Sequence, residues 1–147
     1  MATNQWRVVL DTNIFVAAHT SKNPRSPNKE LIQRWLLGQF DLLYSQVMLE
    51  EMVNKLKEKQ ISQGLIIELV ANLIHLAKRV EVPPETVRKI IIADPDDDQL
   101  LACALCGKAN YLITYDKHFD VLGDSYQGIQ IKEPLPFLFA LRQHLSP

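Results

Sequence analysis

Apolar and polar positions fall into short blocks along this chain, and the period of each block predicts an element. Arg7 to Leu10 is continuous in Val and Leu, the pattern of a short strand buried on both faces. A helix is expected from near Asn13, giving way to the polar loop Thr20-Ser21-Lys22-Asn23-Pro24-Arg25-Ser26. Ser26 followed by Pro27 fits an N-cap and first helical position. That helix is expected to run to about Leu37, with Leu31, Ile32, Trp35 and Leu36 inward and Gly38 at its end. Phe40 to Tyr44 reads as a second strand, after which Ser45 caps a helix carrying Met48, Leu49, Met52, Val53 and Leu56 at helical spacing. Ser62 caps another, with Ile66, Leu69, Val70, Leu73 and Ile74 inside. Arg79 to Val82 is a third strand stopped by Pro83-Pro84, followed by a short helix from Glu85 to Lys89. Asp96 to Cys106 is a helix closed by Gly107 in the C′ position. Tyr111 to Thr114 is a fourth strand, Ile129 to Ile131 a fifth, and Leu135 to Gln143 a final amphipathic helix.

Strands alternating with helices imply an α/β fold, a parallel sheet wrapped on both faces. A length of 147 residues without repeats or linkers points to one domain over 1–147. With 47% hydrophobic and 22% charged residues the chain has the balance of a soluble globular protein. No signal peptide and no membrane-spanning apolar run is visible, so the expected location is the cytoplasm. A net charge of −1 argues against coating nucleic acid by bulk electrostatics, but clustered site carboxylates offset basic residues in that count. Cys103 and Cys106 form a C-x-x-C pair placed mid-helix among apolar neighbours, where core packing explains them better than redox chemistry. The crowding of Phe137, Leu138, Phe139 and Leu141 on the last helix suggests a homodimer surface or a partner groove.

The chemistry resides in the acids. Asp11 follows Val8-Val9-Leu10, and Asp116 follows Leu112-Ile113-Thr114-Tyr115, so each stands at or just past the carboxyl end of a predicted strand. Ligands of open α/β sheets bind beyond those ends, where strand order reverses. Asp98 stands in the first turn of its helix, favoured there by the helix dipole and the free backbone N–H groups. Glu51 lies on the helix after strand two. Asp94 and Asp96 read as turn and cap residues. Carboxylates that converge repel one another, so the fold needs a cation between them, and a divalent metal acting on phosphate is the natural candidate. Hard oxygen ligands without zinc-type histidine spacing select Mg²⁺ or Mn²⁺. No P-loop, dinucleotide fingerprint or acyl-enzyme nucleophile motif is present.

Four motifs together, Val9-Leu10-Asp11-Thr12-Asn13, Ser45 through Glu51-Met52 to Leu56, Asp94-Pro95-x-Asp97-Asp98 and Leu112-Ile113-Thr114-Tyr115-Asp116, resemble the PIN domain family. They occur in the family's order over residues 7 to 132. The third motif and the following Thr-x-Asp resemble a subgroup of toxins from toxin–antitoxin systems. The resemblance implies a three-layer α/β/α fold with a central parallel sheet of about five strands in the order 3-2-1-4-5, and endoribonuclease activity on RNA with Mg²⁺ or Mn²⁺. It also implies an antitoxin protein as partner. Carried over, Asp11, Glu51, Asp98 and Asp116 form the catalytic quartet. Asp11 and Asp98 coordinate the principal metal, Asp116 completes that site or helps hold a second ion, and Glu51 orients or deprotonates the attacking water. Asp98 is preferred over Asp97 because it shares a helix face with Leu101, Ala102 and Leu105; Asp97 is the alternative ligand, or a group that supports the ligands from behind. Asn13 and Thr114 are expected to fix the aspartates by hydrogen bonds. Lys117, His118, Lys22 and Arg25 lie in loops near the carboxyl edge, where they are expected to touch the RNA backbone.

Two other readings compete. A receiver or phosphatase domain of similar architecture uses aspartate and Mg²⁺ for phosphoryl transfer, but a phosphatase of that type wants D-x-D where this chain has Asp11-Thr12-Asn13, and Glu51 gains no role. A non-catalytic module binding RNA or protein on the same fold is disfavoured by the presence of all four acids.

Overall fold

The fold is seen in a computed structural model that describes residues 5–87 and 94–147. Six strands form one sheet: β1 (Arg7–Leu10), β2 (Asp41–Tyr44), β3 (Lys78–Arg79), β4 (Tyr111–Ile113), β5 (Ser125–Tyr126) and β6 (Ile129–Lys132). Their order is β3-β2-β1-β4-β6-β5. Every pairing is parallel except β5 with β6. Val9 pairs with Leu43 on one side and Leu112 on the other, so β1 is central and doubly buried, as its unbroken apolar run requires.

The expected five-strand order is present, with β6 in the fifth place and β5 added as an edge. β5 returns through Gln127 and Gly128, both at positive φ (49° and 86°), the backbone of a two-residue hairpin turn. Gln-Gly is a weak hairpin signal beside Asn-Gly, and this strand is only two residues long. β3 is shorter than expected, ending at Arg79, although the Val80 N–H still reaches Tyr44 O at 2.7 Å. Of the helix expected over Glu85 to Lys89, a single 3₁₀ turn at Pro84–Thr86 is seen; Arg88 and Lys89 lie outside the described residues.

The helices are α1 (Thr12–Thr20), α2 (Pro27–Leu36), α3 (Gln46–Glu58), α4 (Gln63–Leu76), α5 (Pro95–Cys106) and α6 (Pro134–Leu145). Asp11, Ser26, Ser45, Ser62 and Asp94 cap the first five by accepting backbone N–H bonds through their side chains. None of the described helices is long and apolar enough to cross a membrane.

Alternation along the strands divides the core in two. Val8, Leu10, Leu42, Tyr44 and Ile113 face α1, α2, α3, α4 and α6. Val9, Leu43 and Leu112 face α5, which brings Leu100, Leu101, Cys103 and Ala104. Of the crowded residues on α6, Phe137, Leu138 and Leu141 are fully buried in the first cluster, whereas Phe139 is exposed under the Arg142 guanidinium.

Gly107 differs from its expected role. Its φ is −85°, right-handed, and the positive φ of 53° falls on Lys108 instead. What favours glycine here is space, since a Cβ would lie 2.8 Å from Leu43 Cδ1 and 2.9 Å from Val80 Cγ2, and those side chains would have to shift.

Candidate metal centre

β1 and β4 end side by side, and the chain beyond each delivers an aspartate to the same edge. Asp11 caps α1, accepting the Asn13 backbone N–H at 3.2 Å through Oδ1. Its Oδ2 accepts the Thr114 hydroxyl at 2.8 Å. The Thr114 hydroxyl oxygen in turn accepts the Asp116 N–H at 2.9 Å, so one side chain joins the two strand ends. Burial pushes the Asp11 carboxyl above its ordinary range, against the Thr114 and Asn13 bonds and the charge of Lys55.

Two halves can be distinguished. In the first, the Thr12 hydroxyl lies 3.2 Å from Glu51 Oε1 and 3.5 Å from Asp11 Oδ1. Lys55, one turn along α3, places Nζ 2.7 Å from Glu51 Oε1 and donates to Asn13 Oδ1 at 3.2 Å. Burial works against its charge, but the bond to Glu51 and the fields of Glu51, Asp11 and Asp96 outweigh it, and its pKa is raised. Burial, with Glu51 and Asp94, raises Asp96 as well.

In the second half, Asp94, Asp97, Asp116 and His118 each offer a ligand atom, and these atoms lie within 4.8 Å of one another. His118 Nδ1 is 3.0 Å from Asp97 Oδ2 and 3.1 Å from Asp116 Oδ1, and the His118 backbone N–H donates to Asp116 Oδ1 at 2.9 Å. Asp97 is 3% exposed. Burial first, then the charges of Asp116 and Asp94, push its carboxyl up to about 7, although the His118 bond pulls it down. His118 is raised in turn, chiefly by its bond to Asp97. Successive residues of α5 turn by about 100°, which sends Asp96 toward Glu51 and Lys55 and Asp97 toward Asp116 and His118. Asp98, buried like Asp97, is not among the four clustered ligands.

Asn13 meets Asp11 through its backbone N–H, while its side chain holds Lys55. His118, expected to touch RNA, bonds to two carboxylates. Lys117 is exposed and pairs with Glu133 at 3.3 Å. Lys22 and Arg25 lie on the loop between α1 and α2, where Arg25 lines a depression of about 500 Å³ with Glu30, Arg34 and Arg142. Thr12, Lys55, Asp94 and Asp96 join the site without having been expected there from the sequence. For the lysine, a signal exists in the four-residue step from Glu51 to Lys55.

Three carboxylates and an imidazole within reach of one point, one of them nine-tenths buried, fit a divalent cation by donor chemistry. The PIN domain family model matches residues 7–118, and the chain belongs to that family. No curated protein matches the sequence. The solved structure of PAE2754 from Pyrobaculum aerophilum is similar in fold, with a TM-score of 0.61 at 16% identity over 95% of this chain and 90% of that one.

Proposed function

We propose that this protein is a metal-dependent endoribonuclease that hydrolyses RNA phosphodiester bonds. PIN domains are generally metal-dependent nucleases. The observation that supports the reading best is the convergence of Asp94, Asp97, Asp116 and His118 ligand atoms within 4.8 Å, at the edge that also carries Asp11 and Glu51. A divalent ion held there supplies positive charge to the phosphate oxygens and makes water a better nucleophile at neutral pH.

The chain's own residues do the rest. Asp97, Asp116, Asp94 and His118 hold the ion, and Asp11 and Asp98 complete the acidic surround. The imidazole makes Mn²⁺ a better occupant than Mg²⁺, which prefers oxygen and water. Thr12 and Lys55 both bind Oε1 of Glu51, and Oε2 is the oxygen assigned to the proton of the attacking water. Thr114 keeps Asp11 and Asp116 in register. Lys22, Arg25 and Lys117 supply exposed positive charge for the RNA backbone. The protein acts in the cytoplasm as the toxin of a toxin–antitoxin pair, with an antitoxin protein as partner; the resemblance of the third and fourth motifs to such toxins supports the toxin role.

The test is cleavage of end-labelled single-stranded RNA by purified protein with EDTA, Mg²⁺ or Mn²⁺, beside Asp11→Asn and Asp97→Asn. The expected result is metal-dependent cutting with 5′-phosphate products, lost in both variants. Equal behaviour of wild type and variants would remove the proposal.

A further inference from the structure

The two halves of the acidic basin differ in how their charge is balanced. The Asp94–Asp97–Asp116–His118 half has only His118 as a candidate cation among the contacts described, and His118 is itself a ligand atom donor. The Asp11–Glu51 half carries an ammonium of its own. From these observations we infer that Lys55 is the built-in cation of the Asp11–Glu51 half, so that the centre takes one divalent ion, on the His118 side, and excludes a second. The inference rests on the metal-centre reading above and deepens it.

The Glu51–Lys55 pair is more than an ornament of a helix surface. Exposed pairs one turn apart hold loosely and matter little. Here Lys55 Nζ is 2.7 Å from Glu51 Oε1 and 3.2 Å from Asn13 Oδ1, on an element 42 residues away in sequence. The side chains are 32% and 16% exposed. The Thr12 hydroxyl binds the same Oε1, so that oxygen is already engaged by an ammonium and a hydroxyl. Asp11 and Asp96 are close enough for their charges to act on Lys55, which makes it a counter-ion to three carboxylates at once.

A two-ion phosphodiesterase centre sets its metals about 3.5–4 Å apart, bridged by shared carboxylates. A second ion here would draw on Glu51 and Asp11, the groups that Lys55 engages. Bringing a doubly charged ion beside a fixed ammonium costs Coulomb energy that the half-buried setting screens poorly. Lys55 is therefore a positioning residue. It fixes Glu51 for its work on water and reserves that half of the basin for the substrate.

The test counts ions and is independent of cleavage. Purified wild type, Lys55→Met, Lys55→Gln, Lys55→Arg and His118→Ala are titrated with Mn²⁺, free ion being read by its EPR signal and folding by thermal melts. The wild type is expected to bind one equivalent, both neutral variants two, and Lys55→Arg one again. His118→Ala is expected to weaken the single site tenfold or more. Two equivalents on the wild type, or one on both folded neutral variants, would overturn the role of Lys55 while leaving the metal centre standing. Failure of the wild type to bind Mn²⁺ at millimolar concentration would remove both readings together.

Discussion

At the scale of the residue, the Thr114 hydroxyl is the joint of the site. It donates to buried Asp11 and accepts from the Asp116 backbone, so Thr114→Val keeps the shape and removes both bonds. A lost bond to a buried carboxylate costs about 1–3 kcal/mol, and urea denaturation of that variant should show a loss of this size along with slower RNA cleavage. The Asp97–His118 pair makes a pH prediction. Both groups are raised in the folded protein, Asp97 to about 7. The folded state therefore holds protons that the unfolded chain has released, and the pair's contribution to metal-free stability declines as pH rises from about 4 through 7. Metal binding displaces those protons, so Mn²⁺ should raise the melting temperature more at pH 8 than at pH 6; an equal rise at both would place the ion elsewhere. Asp11 is legible in the sequence because solubility alone does not place a charge directly after a buried apolar strand, and Asp116 because it stands a few residues past a second such strand. Asp97 and Asp98 are not separable in the same way. Both sit in one helical turn, and which carboxylate meets Asp116 depends on the roll of α5 against the sheet, which no local spacing encodes.

At the scale of the element, the caps, the amphipathic helices and the parallel order are legible because each follows from local rules: Ser or Asp before an apolar period, unbroken apolar runs for buried strands. What escapes a sequence reading depends on partners distant in the chain. Gly107 has the position of a helix terminator, but its φ of −85° suits any residue. The constraint is the approach of α5 to β2 and to the chain after β3. Gly107→Ala would place Cβ 2.8 Å from Leu43 Cδ1, in a core where Leu43 is 2% exposed. Overpacking of this kind costs about 1–3 kcal/mol. The expected result is a lower urea midpoint with Mn²⁺ binding retained, because the site lies at the other end of α5. An alanine variant as stable as the wild type would show that Leu43 and Val80 move aside freely.

At the scale of the whole molecule, chemistry and stability are divided along the chain. The family match ends at residue 118, just past the last site acid, yet α6 lies beyond it and seals the larger core. Phe137 is fully buried and meets the rings of Tyr111 at 5.0 Å, Phe40 at 5.7 Å and Trp6 at 6.0 Å, so it ties the last helix to β4 and to the residues that lead into β1 and β2. α6 is also clasped from outside, Arg142 donating to both oxygens of Glu30 on α2, at 2.6 and 3.1 Å. That clasp holds the Glu30 carboxyl below its ordinary value. Its contribution is present at neutral pH and fades as pH falls through the lowered pKa, so Glu30→Gln should differ from wild type at pH 7 and converge with it in acid. The core side of the same contact is the larger part. Truncating a buried phenylalanine costs about 3–5 kcal/mol, against a total stability on the order of 5–15 kcal/mol for a protein of this kind. Phe137→Ala should therefore lower the urea midpoint steeply while touching no atom of the metal centre. At low denaturant, the fraction still folded should bind Mn²⁺ with the affinity of the wild type. If affinity fell in step with stability, the centre would owe its geometry to α6 as much as to the strand ends that carry its acids.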